Sequence, residues 1–368
     1  MCEKLGLWRW MMKRWFVSCV LLLLLTACAT GTEPTAPTDA PTPTETAAAP
    51  RVLRVMTYSS FDIGEETIAG FEAEHNATLQ FLDAGDTGQM ISQAILSKDN
   101  PQADVLYGVD NTFLSRALEG DIFEPYESGN LGVVSEAYIL DEQHRVTPVD
   151  YGDVCLNYDR AFFAEGGSAV PETLEDLADP AYEGLLVVEN PASSSPGLAF
   201  LLTTISVFGE DGYLDYWQQL RDNDVLVVDS WDNAYYGEFR IGTRPIVVSY
   251  ATSPAAEVVF SEEPLETPPT GSVVAPGTCF RQIEFVGILR NGQNRDLAEA
   301  FVDYVLSDTF QRDIPLHMFV FPVNEAVALP EVFVEHAIRA EAPATMAPSA
   351  IEQNREAWVQ AWTDVVLR

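Results

Sequence analysis

From about residue 52 onward, stretches typical of strands alternate with stretches whose apolar positions recur about every 3.6 residues, as in helices. Short apolar runs predict strands, and the amphipathic segments that follow them predict helices. In chain order these are a strand at residues 53–58, a helix at 65–74, a strand at 78–82, a helix at 87–96, a strand at 105–108 and a helix around 112–118. This order predicts an α/β fold with a mostly parallel sheet and helices on its faces.

The same alternation continues after residue 148. Further strands are predicted at residues 151–158, 185–189, 225–229, 245–250 and 280–289, and further helices from residue 196 and at 213–221, 297–306 and 350–366. A proline-rich loop at 264–276 precedes the last strand, which we expect to return to the first half. Ligands of such sheets bind beyond the carboxyl ends of the strands. Candidate residues at those ends are Tyr58, Asp86, Thr87, Asp110 and Asn111.

The first 27 residues have the pattern of a secretory signal peptide. Four basic residues, the last of them Arg14, precede an apolar run at 15–25 that is too short to span a bilayer. Leu-Thr-Ala-Cys closes this run and resembles a bacterial lipobox, which predicts cleavage and lipidation at Cys28. We therefore expect an exported protein, anchored by lipid at the outer face of the cell membrane.

The composition of residues 28–50 differs from that of the rest of the chain. Residues 28–50 are rich in Thr, Ala and Pro and have no large apolar side chain, which predicts a disordered tether. The net charge of −36 argues against binding to nucleic acid or to bare phospholipid headgroups, because both require positive charge. Such a surface would attract a cationic ligand.

The stretch Asn190–Leu202, NPASSSPGLAFLL, predicts the start of a helix. Three serines precede Pro196, and proline is favoured in the first turn, so Ser195 is a candidate N-cap. The free N–H groups and hydroxyls at such a helix end suit an anionic or polar ligand. The alternative is a well-capped helix with no ligand.

Two cysteines remain once the signal peptide and Cys28 are set aside. An exported protein with two internal cysteines favours pairing, so we predict a disulfide between Cys155 and Cys279; the alternative is two buried thiols. Signatures of catalysis are absent from the sequence: it contains no GxSxG, HExxH, P-loop or GxGxxG motif, and the four histidines have no metal-ligand spacing. These observations disfavour an enzyme and a metal site.

Six separated blocks resemble the thiamine-binding solute receptors of bacterial ABC importers. They are LRVMTYSSFD, ADVLYGVDNTFLSRA, DYGDVCLNYD, NPASSSPGLAFLL, SYATSP and FPVN, in this order. The resemblance covers residue 53 to the C-terminus and implies a type II periplasmic-binding-protein fold, with two lobes joined by two hinge strands near 151–158 and 280–289. It implies a first lobe at 51–150 that residues 285–325 rejoin, a second lobe at 151–284, and a C-terminal helical segment at 326–368 packed on the lobes.

The resemblance also implies a ligand site. Thiamine has a permanently cationic thiazolium ring, an aromatic aminopyrimidine and a hydroxyethyl arm, so aromatic faces and polar groups are expected around it. Where these receptors can show a tryptophan before the Pro-Val block, this chain has Phe319. The complete set of expected ligand contacts is Tyr58, Asp86, Thr87, Asp110, Asn111, Ser194, Ser195, Trp231, Tyr250, Ala251, Thr252, Ser253 and Phe319.

The function implied is capture of thiamine, or of thiamine phosphates, and delivery to a membrane permease with its ATPase. A monomer without cofactor, metal or catalytic activity is expected. Two alternatives keep the same fold: a ferric-iron receptor, for which Tyr235-Tyr236 would be the ligand pair, and a polyamine receptor, which fits the acidic surface. A lipid-anchored hydrolase is the alternative of a different class.

Overall fold

The computed structural model describes residues 49–368. The predicted signal peptide, Cys28 and nearly all of the predicted tether lie outside these residues. Within them, every helix is too short or too polar to cross a membrane. The backbone forms mixed β-structure with helices packed on its faces.

Eleven strands of the described region join in one sheet. They are β1 (Arg51–Thr57), β2 (Ala77–Asp83), β3 (Val105–Asp110), β4 (Phe123–Glu124), β5 (Thr147–Asp159), β6 (Leu186–Glu189), β7 (Leu226–Val228), β8 (Ile246–Tyr250), β9 (Thr270–Val273), β10 (Phe280–Leu289) and β11 (Phe321–Pro322). The main path runs β2-β1-β3-β10-β5-β8-β6-β7, with β4, β9 and β11 paired at its sides. Pairing is parallel within β2-β1-β3 and within β8-β6-β7, as predicted for consecutive strand and helix units.

The helices follow the amphipathic segments. They are α1 (Glu65–His75), α2 (Thr87–Leu96), α3 (Leu114–Glu119), α4 (Arg160–Ala164), α5 (Ser195–Asp222), α6 (Ser253–Val259), α7 (Arg295–Val305), α8 (Asp308–His317), α9 (Glu331–His336) and α10 (Pro348–Val366). A π-helix occupies Asn233–Phe239. Short insertions of this kind are frequent at functional sites.

Strands β5 and β10 are the long antiparallel pair at the centre of the sheet, and they join its two parallel halves. Each half and the helices on it is called a lobe below: lobe 1 contains β1–β3 and lobe 2 contains β6–β8. Cys155 on β5 and Cys279, directly before β10, are joined by a disulfide with an S–S distance of 2.12 Å. The disulfide therefore connects the two strands that pass between the lobes.

Several elements differ from the sequence-based prediction. Helix α5 begins at Ser195 with Ser194 at the N-cap, one residue earlier than predicted. Within α5 the backbone breaks at Gly209, whose φ of 71° is left-handed, so the segment 213–221 is separate from the first part of α5, as predicted. The proline-rich loop contains β9, which pairs with β5 and could not be recognised from so short a run.

The C-terminal helix α10 packs on α5 of lobe 2 and on α3 of lobe 1. Trp362 of α10 lies edge to face with Trp217 of α5, at a ring-centroid distance of 5.5 Å, and both side chains are fully buried. Burial of two such large side chains contributes several kcal/mol to this packing.

Candidate functional site

A cavity of about 280 Å³ lies between the two lobes, where the carboxyl ends of the parallel strands meet. Lobe 1 contributes Tyr58, which follows β1, and Thr87, which begins α2. Lobe 2 contributes the start of α5, the π-helix region and the end of β8. The described lining residues include no Lys or Arg. The cavity, called the cleft below, thus has aromatic, hydroxyl and acidic walls.

The aromatic wall belongs to lobe 2. Trp231 stacks on Tyr235 with ring centroids 5.1 Å apart and meets the edge of Tyr250 at 6.5 Å. The indole N–H donates to Ser249 Oγ at 2.9 Å, which fixes the orientation of the ring. The exposed Tyr236 continues this wall, so the cleft presents several π faces to any bound group.

A hydrogen-bonded chain of side chains forms the floor. Tyr250 donates to Gln282 Oε1 at 3.2 Å, and Gln282 donates to Glu284 Oε1 at 3.1 Å. Tyr58 donates to the other oxygen of Glu284 at 3.1 Å. Because Tyr58 belongs to lobe 1 and Tyr250 to lobe 2, this chain joins the two lobes through β10.

Glu284 has an acidic neighbour on each side. It is in register with Asp110 on β3 and with Asp150 on β5, and all three residues are buried. Burial raises the pKa of Glu284 well above its ordinary value, and Asp150 and Asp110 raise it further because like charges disfavour ionisation. Burial also raises the pKa of Asp150 to about 7. A cation in the cleft would relieve this repulsion.

Asp86 adds a further carboxylate between the lobes. It lies at the N-cap of α2, and its carboxylate accepts a hydrogen bond from the backbone N–H of Trp231 at 3.2 Å. Burial raises the pKa of Asp86 to about 6, although this N–H bond opposes the shift. The backbone N–H of Gly88 donates to the carbonyl of Ser193 at 2.9 Å, which makes a second hydrogen bond between α2 and lobe 2.

The start of α5 reaches the cleft through Ser195 and Pro196. The Ser195 hydroxyl donates to Asp110, whose other oxygen accepts from the backbone and hydroxyl of Thr112. Burial raises the pKa of Asp110, while the hydrogen bonds from Ser195 and Thr112 lower it. The positive end of the helix is therefore already faced by a carboxylate of the protein.

The mouth of the cleft is narrowed by an aromatic contact. Phe260 directly follows α6 on lobe 2, and Phe319 follows α8. Their ring centroids lie 5.2 Å apart. The backbone of Phe319 has a φ of 54°, a conformation that non-glycine residues rarely adopt. Such conformations cluster at functional sites, where surrounding structure holds them.

Comparison with known proteins agrees with a ligand cleft between two lobes. The family described as bacterial extracellular solute-binding protein matches residues 100–339. This chain belongs to that family. Its fold is the two-lobed α/β fold of periplasmic binding proteins.

Similarity extends over most of the chain. A protein named thiamine-binding periplasmic protein from Salmonella typhimurium is 29% identical over 324 residues, which cover 86% of this chain and 94% of the relative. The solved structure of a periplasmic thiamin binding protein is 26% identical, with a TM-score of 0.77, and the match covers 87% of this chain and all of that one. A ferric binding protein from Campylobacter jejuni shares the fold with a TM-score of 0.70, at 17% identity.

The structure of this solute-binding protein places nine of the predicted contact residues on the cleft. They are Tyr58, Asp86, Thr87, Ser195, Trp231, Tyr250, Thr252, Ser253 and Phe319. The hydroxyl of Thr252 is buried and has no hydrogen-bond partner among residues 49–368, so it is free to contact a ligand.

Four predicted contact residues lie behind the lining instead. Asp110 holds Ser195, and Asn111 donates to the carbonyl of Arg281 while accepting from the N–H of Ile283. Ser194 is buried at the N-cap of α5. Ala251 packs against the disulfide. None of these four residues belongs to the lining of the cavity.

Sequence reasoning missed the floor and part of the wall. The missed lining residues that carry chemistry are Asp62, Asp232, Tyr235, Tyr236, Gln282, Glu284 and His317. Gln282 and Glu284 occur every second position in β10, and this period-2 pattern could have indicated one common face. The sequence indicates Tyr235-Tyr236 only as the ligand pair of an iron receptor.

Proposed function

We propose that this protein captures thiamine in the cleft and releases it to a membrane importer. The observation that carries this proposal is the combination of an aromatic wall around Trp231 with an acidic floor around Glu284, without Lys or Arg among the described lining residues. This combination suits a flat aromatic cation. The named thiamine-binding relatives support the same ligand.

Each part of thiamine has a counterpart in the cleft. The thiazolium cation is attracted both to the face of an indole and to nearby carboxylates; the indole contribution is about 0.5 to 2 kcal/mol. The aminopyrimidine needs fixed donors and acceptors, which Asp86 and the backbone around Thr87 supply. Ser253 and the unpartnered hydroxyl of Thr252 suit the hydroxyethyl arm.

Ferric iron fits this cleft poorly. Iron requires hard ligands that converge on one point, yet the rings of Tyr235 and Tyr236 stand at 82° to each other. The Tyr235 hydroxyl is buried and donates to Glu257 at 2.7 Å. Among the described residues, no group of three His, Cys, Asp or Glu side chains is arranged to hold a metal ion.

We also propose that the protein acts outside the cytoplasm, anchored to the cell membrane. Membership of an extracellular family indicates export, and the lipobox-like sequence supports anchoring through Cys28 at the outer face of the cell membrane. Delivery to an ABC permease with its ATPase, by a monomer that performs no catalysis and needs no cofactor, accords with solute receptors of this fold.

Isothermal titration calorimetry of the purified protein with thiamine tests the proposal, with putrescine and ferric citrate as comparison ligands. Thiamine is expected to saturate one site, with the comparison ligands at least about 100-fold weaker because neither one combines an aromatic ring with a cation. Absence of heat with thiamine, while another ligand saturates the protein, would overturn the assignment.

A further inference from the structure

We propose that helix α10 is a brace between the lobes and that Arg355 is the residue through which it favours their closed arrangement, in which the lobes are in contact. Arg355 is then a positioning residue, which raises the affinity for a ligand that it does not touch. The effect on affinity rests on the proposed function, whereas the effect on closure does not. The basis is that α10 packs on α5 of lobe 2 and on α3 of lobe 1.

The C-terminal half of α10 is fixed to lobe 2. Trp362 packs edge to face on Trp217 of α5, and both rings are fully buried. Arg221, in the last turn of α5, donates to the carbonyl of Val365 at 2.6 Å. Because two buried aromatic rings and a hydrogen bond hold this end, we infer that α10 moves together with lobe 2.

Arg355, in the N-terminal half of α10, contacts lobe 1. Its guanidinium lies over the ring of Phe113, with Cζ 4.5 Å from the ring centroid, and only 4% of Arg355 is exposed. Phe113 directly precedes α3 and is fully buried. An aromatic face attracts a cation, and the attraction is stronger where water is excluded. This contact therefore joins α10 to lobe 1.

Phe113 connects the Arg355 contact to a place where the two lobes meet. A Cβ on Gly88 would lie 3.0 Å from Cζ of Phe113 and 2.7 Å from the carbonyl oxygen of Ser193. Gly88 thus fits tightly between a ring of lobe 1 and the backbone of lobe 2, and its N–H donates to that carbonyl. A shift of Phe113 would displace Gly88 and weaken the hydrogen bond between the lobes.

The guanidinium of Arg355 is incompletely hydrogen-bonded for a buried cation. Nη1 donates to the exposed Glu356, and Nε has no hydrogen-bond partner in the described part of the chain. Burial lowers the pKa of Arg355; Glu356 and Asp110 oppose this shift, and Arg116 adds to it. A buried charge is costly unless it is compensated.

The compensation that lobe 1 supplies comes from the ring of Phe113 and the negative charge of Asp110. Both attractions weaken if α10 separates from lobe 1, so Arg355 favours the closed arrangement. The opposite effect, in which the buried charge pushes the lobes apart because water would solvate it better, predicts the opposite sign for each variant below.

Hydrogen exchange of the Gly88 amide in the ligand-free protein tests the effect on closure. This amide lies in the first turn of α2 and bonds to Ser193 of lobe 2, so its protection reports the contact between the lobes. Arg355→Met keeps a long side chain and removes the charge. It should increase the exchange rate, measured by mass spectrometry on peptides that contain Gly88, by about 2- to 30-fold.

Two further variants define the origin of the effect. Arg312→Met is the matched control, because it makes the same change in net charge at an exposed ion pair of α8, and it should leave the exchange unchanged. Phe113→Leu removes the aromatic face from the other side of the contact and should act like Arg355→Met. The two changes combined should have less than the product of their separate effects, because they remove the same contact. If Arg355→Met does not fold, wild-type exchange in Phe113→Leu would overturn the inference.

Calorimetry with thiamine tests the effect on affinity. Arg355→Met should bind thiamine about 2- to 30-fold more weakly than wild type, and Arg312→Met should bind it equally well. A lower melting temperature with unchanged Gly88 exchange and affinity would show that Arg355 only stabilises the fold. Slower exchange or tighter binding in Arg355→Met would show that the charge opposes closure; either result contradicts the inference. Faster Gly88 exchange in Arg355→Met, together with a wild-type protein that does not bind thiamine, would support the brace and overturn only the proposed function.

Discussion

Asp150 is a buried acid whose ionisation lowers the stability of the ligand-free protein. One oxygen of its carboxylate accepts from Tyr107 at 2.8 Å, and the other has no hydrogen-bond partner in the part of the chain that the structure describes. Glu284 lies in register beside it on β10. An ionised Asp150 is therefore costly in the ligand-free protein, because it is buried, incompletely hydrogen-bonded and close to a second acid.

The pKa of Asp150 predicts a pH dependence of folding. Its value of about 7 in the folded protein exceeds the ordinary value of 3.8. Between these two values the folded state holds a proton that the unfolded state has lost, so the free energy of unfolding falls as the pH rises from about 4 to about 7. Asp150→Asn removes this contribution.

Thermal unfolding of the ligand-free protein at pH 4.5 and 7.5 measures the effect. Relative to wild type, Asp150→Asn should gain at least about 1 kcal/mol of stability at the higher pH compared with the lower. Asp215→Asn, at an exposed position, is the control and should show no such difference. Parallel pH profiles for wild type and Asp150→Asn would show that the floor carboxylate is not protonated.

Gly108 predicts a second effect at the residue scale. Its φ is 97°, and a Cβ at this position would lie 2.3 Å from the ring of Tyr58. Gly108→Ala should therefore cost at least about 1 kcal/mol of stability and weaken thiamine binding severalfold by displacing Tyr58 from the cleft. Gly209→Ala is the matched control, because its φ of 71° is also left-handed but a Cβ there meets open space.

Calorimetric affinity and thermal stability separate these two effects. Gly209→Ala should lose stability and keep its affinity for thiamine, whereas Gly108→Ala should lose both. Equal affinity in the two variants would indicate that Tyr58 does not contact the ligand.

At the scale of elements, β5 and β10 form the connection between the lobes. The disulfide joins residues separated by 124 positions, so it restricts the unfolded chain strongly. For a loop of this length the chain-entropy contribution is about 4 to 5 kcal/mol, although measured values extend from 0 to about 5 kcal/mol. The cysteines pack with Ala251 and Ala340, outside the lining of the cleft.

Replacement of both cysteines by alanine tests this role. We expect a melting temperature several degrees below wild type, with thiamine affinity changed by less than about threefold, because the lining is untouched. Melting of wild type in the presence of a reductant should approach that of the variant, and the variant itself should not respond to reductant. An unchanged melting temperature would contradict a stabilising disulfide.

Sequence patterns predict several of the helices and strands but not the contacts between distant strands. Helices α1 and α2 and strands β3 and β8 were predictable within a few residues, because their apolar spacing is regular. The cleft floor was not predictable. Glu284 lies beside Asp150 only because β5 pairs with β10, and the two residues are 134 positions apart in the chain. No local sequence pattern indicates that register. Likewise, the position of Asp110 at a strand end was predictable, but its hydrogen bond with Ser195, from behind the lining of the cleft, was not.

At the scale of the whole molecule, polar and aromatic contacts cross between the lobes. The hydrogen bond between Gly88 and Ser193, the bond from Trp231 to Asp86 and the pair Phe260–Phe319 are examples. Such contacts would have to open if the lobes separate to exchange a ligand. The acidic surface, with a net charge of −36, should favour the approach of a cation.

The aromatic contact at the mouth predicts an effect on ligand release. Phe260 is 67% exposed, so Phe260→Ala should leave folding unchanged and increase the dissociation rate of thiamine by about 2- to 10-fold, since an aromatic pair contributes about 0.5–1.5 kcal/mol. Stopped-flow displacement measures this rate. Phe162→Ala removes another exposed phenylalanine, away from the cleft, and should have no effect; equal rates in all three proteins would exclude a role for the mouth contact.

The central claim, that thiamine binds against the aromatic wall of the cleft, is tested most directly by tryptophan fluorescence. Of the four tryptophans in the described residues, Trp231 lines the cleft, whereas Trp217, Trp358 and Trp362 are buried elsewhere. Thiamine should quench the emission of wild type in a saturable manner, and Trp231→Phe should bind thiamine with almost no quenching. Trp231→Ala should bind about 2- to 30-fold more weakly, because the loss of the stacking face removes about 0.5 to 2 kcal/mol. Saturable quenching of equal amplitude in wild type and Trp231→Phe would contradict the claim.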